Sequence, residues 1–124
     1  MTGMLLSFEQ EISNADAFTN RIADGKEFSD YVEFLDALCD VLGVRTISSF
    51  CNDVSEDEEF RWFDPDEGLQ TASRLRKELT NQLASIKGKR EREITEILIA
   101  DMEGLESDSG SAIETRTRFA LIYC

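Results

Sequence analysis

Asp64-Pro65-Asp66-Glu67 is the stretch on which the reading of this chain turns. Asp64 is placed to cap a helix, since its carboxylate can accept from the first unsatisfied N–H groups. Pro65 at the first helical position loses nothing by lacking an N–H, and Glu67 completes a box-like pattern at the third. From this start Leu69, Ala72, Leu75, Leu79, Leu83 and Ile86 recur on one face, predicting a helix over about 65–87. Lys87, Lys89 and Arg90 gather where a helix dipole favours cations, and Gly88 breaks the run.

Downstream, Ile94, Ile97, Leu98, Met102 and Leu105 predict a second helix over about 91–106, with Ile99 pointing elsewhere. Arg76 and Asp101 lie inside the apolar stripes of these two helices. The short connection at 87–90 favours antiparallel packing, so the two charges either meet across it or each snorkels to the edge of its own stripe. Ser107–Ser111 reads as a loop or a helical irregularity. The alternation of Thr, Phe, Ile and Tyr after Thr115 predicts a strand over about 117–123, with a helix continuing from Ser111 as the alternative.

Upstream, residues 59–63 (with Phe60-Arg61-Trp62-Phe63) and the β-branched run 44–51 read as two short strands around an acidic loop, together a hairpin. Before them Phe28, Tyr31, Val32, Leu35, Leu38, Cys39 and Leu42 form one stripe of a helix over about 27–42. Asp24 and Glu27 suit its start, and Gly43 suits its end. In the first 23 residues, Leu5, Phe8, Ile12, Phe18 and Ile22 are loosely helical in spacing. With a single proline, no Gly/Ser linker and no repeat, the expectation is one α+β domain spanning 1–124. It has three main helices (about 27–42, 65–87 and 91–106) and a small antiparallel sheet (about 44–51, 59–63 and 117–123).

Composition narrows function by exclusion. The 124 residues contain no histidine, which removes the imidazole base, the Ser-His and Cys-His nucleophile pairs and every His-containing metal site. There are 26 Asp and Glu against 13 Lys and Arg, a net charge of −13. Direct binding to nucleic acid is disfavoured, because that affinity comes mainly from cations on phosphates. A basic protein partner is favoured instead. The imbalance is uneven: residues 1–62 hold 14 acids and 4 bases, residues 63–124 hold 12 and 9.

Cys39, Cys51 and Cys124 share no metal-ligand spacing and are odd in number, so neither a disulfide framework nor a zinc site is expected. No cofactor is implied. With no basic stretch ahead of Leu5 and Leu6 and no long apolar run, the expectation is a cytoplasmic protein that neither enters nor binds a membrane. Read as a calcium loop from Asp53, the acidic run puts Glu58 where glycine is needed and closes on Asp64 rather than glutamate.

The candidate partner-binding residues are therefore acidic with one aromatic anchor. Asp30, Glu33, Asp36 and Asp40 lie opposite the apolar stripe of the 27–42 helix. Asp53, Glu56, Asp57, Glu58 and Glu59 form the densest acidic run, and Trp62 follows beside Arg61. In size and charge, and in no motif, the chain resembles bacterial immunity proteins. That resemblance implies a non-enzymatic protein that neutralises or escorts a cationic partner such as a toxin domain. A secretion-type chaperone, a nucleic-acid mimic and a carboxylate-based enzyme are the alternatives.

Overall fold

A computed structural model describes residues 4–9, 31–53 and 61–123, in an α+β arrangement of three helices and a three-stranded sheet. Strand β1 (Met4–Phe8) comes first, followed by helix α1 (Val32–Leu42). A 3₁₀ turn at Ser48–Phe50 leads into β2 (Cys51–Asp53). Helices α2 (Pro65–Leu83) and α3 (Lys89–Thr115) then precede β3 (Phe119–Tyr123).

α2 begins where its sequence dictates. Asp64 stays extended at φ −71° and ψ 125°, its Oδ1 accepts from the Asp66 N–H at 3.0 Å, and Pro65 opens the helix. Its regular part ends at Leu83, earlier than the expected 87, and the chain turns through Ser85 N–H to Gln82 O and Ile86 N–H to Leu83 O. The end is closed by a residue not singled out in the sequence. Arg92 donates from Nη1 to Leu83 O at 2.9 Å and to Ile86 O at 3.1 Å, while Lys87, Lys89 and Arg90 stay exposed.

α3 runs through the stretch expected to be loop-like. Asp108 and Ser109 are buried, so packing overrides a poor intrinsic propensity. The Ser111 hydroxyl turns back onto Ser107 O and that of Thr115 onto Ser111 O, so neither competes with the helical ladder. Contrary to the sequence reading, Ile99 packs against the core and Ile97 is the exposed member.

α2 and α3 lie antiparallel, but Arg76 does not meet Asp101. It pairs with Glu106, Nε to Oε2 at 2.8 Å, and Nη2 adds a longer bond to Oε1 at 3.4 Å. Arg76 sits toward the Leu69 and Leu83 edge of its helix, and Glu106 is on the matching edge of α3. Asp101 lies about 140° further round that helix, at roughly 100° per residue, and is buried there.

The sheet is mixed, not antiparallel as expected. Its order is β1-β3-β2, with β1 antiparallel to β3 (Met4 opposite Tyr123, Phe8 opposite Phe119) and β2 parallel to it (Cys51 opposite Leu121). A parallel pair needs a long crossover, which the α2–α3 hairpin supplies. β1 falls where the spacing suggested a helix. Its end is latched by Glu9, whose N–H donates to Arg118 O at 2.9 Å and whose carboxylate pairs with the Arg118 guanidinium. That guanidinium holds the Glu9 carboxyl below its ordinary range.

Of the expected strand 44–51 only Cys51 belongs to one, as the first residue of β2, and residues 44–50 are not extended into the sheet despite their β-branched content. Ser49 Oγ donates to Thr46 O at 2.6 Å and Phe50 N–H to Ile47 O at 3.1 Å, so local bonds tighten the chain into a 3₁₀ turn. The expected hairpin with 59–63 is replaced as well. Asn52 reads both backbone groups of Arg61 with its side-chain amide, at 2.9 and 3.0 Å, and Phe63 makes an isolated bridge to Phe119. Residues 59 and 60 lie outside the described residues, as do Asp24 and Glu27 at the expected start of the first helix.

One apolar cluster joins these elements. Leu35 and Cys39 of α1, Leu75 and Leu79 of α2, Leu98, Met102 and Leu105 of α3, and Phe119 and Leu121 of β3 are almost fully buried. Each such side chain contributes about 1.5–3 kcal/mol relative to exposure. Where α2 crosses the sheet, a Cβ on Gly68 would stand 2.5 Å from Cζ of Phe119, so only glycine admits that ring.

Candidate functional site

The amphipathic pattern of α1 carries more than a core stripe and an acidic face. Val32, Leu35 and Cys39 are buried. Going round the helix, Tyr31 and Leu38 are half-buried, then come Phe34, Ala37 and Val41, and then Glu33 and Asp40. Phe34 is 43% exposed and Val41 84% exposed. Phe34 and Val41 are seven residues apart, so they lie in line two turns from each other. An apolar strip is thus bordered by carboxylates on the side away from the core. Neither residue belongs to the core period, and that off-stripe pair is the signal in the sequence that marks it.

Of the acidic residues picked out from sequence, Glu33 and Asp40 are exposed along this strip. Asp36 is structural, because its Oδ1 accepts from the Ser48 N–H at 3.1 Å and so joins α1 to the 3₁₀ turn. Asp53 closes β2. Asp30 and Glu56, Asp57, Glu58 and Glu59 lie outside the described residues. Trp62 is half-buried and packs against the core, which makes it a poorer anchor than its surroundings in sequence suggest.

The apolar strip leads into a groove of about 370 Å³ at the meeting of the three helices. Tyr31 and Phe34 form the α1 wall, Gln82 comes from the end of α2 and Ile86 from the turn after it, and Ile94 and Leu98 line the α3 side. Two of its polar side chains are engaged within the protein. Thr95 Oγ1 donates to Glu91 O at 2.8 Å, and the Gln82 amide donates to Glu78 at 3.1 Å. Glu91 stands exposed at one wall, and Ile97, 39% exposed, lies nearby on the same helix.

Arg45 looks at first like a second functional group. Its guanidinium lies 4.7 Å from the Phe50 ring centre and 4.8 Å from that of Phe63, stacking on both. Its donors go to Ser49 and to Glu67 at 2.8 Å, and its carbonyl accepts from Thr71 Oγ1. With its bonds committed, Arg45 serves as a clamp between the 3₁₀ turn and α2.

The interior offers little for chemistry. The Cys39 thiol is pushed up to about 11, first by burial and then by the nearby Asp36 and Asp40 charges, so it stays protonated and unreactive. Among the described residues, no group of three or more Cys, Asp or Glu could hold a metal ion. No described helix is long and apolar enough to cross a membrane. A second groove, between α2 and α3, presents Glu103, Glu106 and Glu114, and Glu106 is engaged by Arg76. No protein-family model, curated protein or solved structure matches this chain.

Proposed function

We propose that this is a small acidic, non-enzymatic binding protein of the cytoplasm, which neutralises or escorts a basic protein partner through the outer face of α1. One observation carries the reading: Phe34 and Val41 stand in solvent beside Glu33 and Asp40. Exposed apolar anchors edged by charge are the composition of an interface, the anchors supplying affinity and the rim supplying orientation and encounter rate. The net charge of −13 sets the sign of the partner. An immunity-type inhibitor of a cationic toxin is the form of this function that size and charge suit best. The apolar groove beside the strip favours escort of an exposed segment as a second form of the same activity.

The test is affinity capture from the native cell with the full chain, in parallel with a Glu33→Gln/Asp40→Asn/Val41→Ser variant, followed by kinetics on the recovered protein. The expected partner is basic. Its association should slow with added salt and should slow further on the variant, the two carboxylate changes acting on the on-rate. Recovery of acidic or neutral proteins only, or equal association rates for variant and wild type at low salt, would overturn the proposal.

A further inference from the structure

The groove beside Phe34 has properties that specify its occupant. At about 370 Å³ it is near the lower end of the roughly 300–1,000 Å³ usual for small-molecule sites. It is open along its length, so it suits one or two side chains inserted from outside. Thr95 and Gln82 each spend a donor hydrogen inside the protein, and apolar contact is the larger share of what the groove offers. Tyr31 and Phe34 at α1, Ile86 from the turn after α2 and Ile94 on α3 offer apolar surface, with buried Leu98 beneath them.

We propose that this groove seats the apolar edge of a cationic amphipathic helix belonging to the basic partner. The inference rests on reading the protein as an acidic binder and adds the form of the bound segment. A helix laid in a groove inserts side chains three, four and seven residues apart. The groove and the Phe34–Val41 strip together give such a row successive seats along α1, and exposed Ile97 extends the apolar surface on α3. Charge sets the orientation. Glu33 and Asp40 lie beyond the strip on α1, while the Glu91 carboxylate turns back over Gly88 at the start of α3. Lys87, Lys89 and Arg90 are exposed at the α2–α3 connection. The Lys or Arg face of the bound helix therefore lies toward α1 and away from that connection.

The experiment uses the full chain with methyl labels, titrated with a synthetic amphipathic Leu/Lys peptide, its Leu/Glu counterpart and oleate. The Leu/Lys peptide should shift the Ile86, Ile94 and Leu98 methyl signals saturably. Its affinity should fall roughly tenfold or more with Phe34→Ser or Ile94→Lys, the usual cost of losing an interface anchor. The Leu/Glu peptide should bind far more weakly. Phe34 is 43% exposed and lies outside the buried core cluster, so Phe34→Ser should keep a cooperative thermal transition, measured alongside to separate lost binding from lost folding. Shifts confined to the Glu33 and Asp40 amides, with silent groove methyls, would overturn the groove as the seat and leave the acidic-binder reading standing. Equal affinity for the Leu/Glu peptide, saturable binding of oleate but not of the peptide, or no peptide binding at all would also overturn it.

Discussion

Two residues end helices in the same way with different fitness. Gly43 and Arg116 both adopt left-handed backbone at a helix end, with φ of 73° and 55°. In both, the following N–H returns five residues, Val44 to Cys39 O and Thr117 to Ala112 O. For glycine this geometry is free of steric cost, whereas a side chain with a Cβ meets the neighbouring carbonyl. Arg116→Gly should therefore stabilise the protein by about 1 kcal/mol, read from urea unfolding. Gly68→Ala should do the reverse. The displaced atom is the far edge of Phe119, a ring fully buried against Phe50 at 5.2 Å between centres, so it has nowhere to swing. A loss of about 1–3 kcal/mol is expected, as for other overpacked cores. Cys39 gives a pH signature. Its folded-state value is raised to about 11 from 9.0, so its contribution is complete below pH 9 and is lost as pH rises toward 11. Cys39→Ala should flatten the alkaline fall in unfolding free energy relative to wild type.

At the level of elements, helices announce themselves better than strands do here. The cap at Asp64 and the stripe from Leu69 to Leu79 located α2, because both signals act within a few residues. β1 could not be read this way. Its five residues are a strand only because β3 lies beside them, and that pairing joins Met4 to Tyr123. The 3₁₀ turn hid behind β-branched residues whose preference was outweighed by hydroxyl-to-carbonyl bonds. For the candidate surface, the acidic residues of α1 were legible from charge alone. Phe34 and Val41 were marked only by falling off the core period, and the groove was not legible, since it exists only where the turn after α2 and the start of α3 meet α1. Arg76 was legible as a charge at the α2–α3 seam but its partner was not, since Glu106 lies about 140° round α3 from Asp101. The Arg76–Glu106 pair is about 30% exposed on each side, and Glu106 raises the Arg76 value mainly through their hydrogen bond. A double-mutant cycle of Arg76→Ala and Glu106→Ala should give a coupling of about 0.2–1 kcal/mol, reduced by salt. The same cycle with Asp101→Ala should give a value near zero.

At the scale of the whole molecule, stability rests on one apolar cluster and a helical hairpin, with no metal-ligand group among the described residues. Thermal unfolding should therefore be the same with and without a strong chelator; a fall of several degrees on chelation would contradict this. The strand order has a consequence in time. β3 is the centre of the sheet, yet it is the last of the three strands to be synthesised. β1 and β2 leave the ribosome with no partner between them and wait while both long helices are made. Free chains truncated before residue 119 should thus hold the α2–α3 pair while both ladders are open, and pulsed proteolysis should cut them near β1 and β2. Extending the chain past Tyr123 should protect both sites in a single step, because one late strand closes two edges at once.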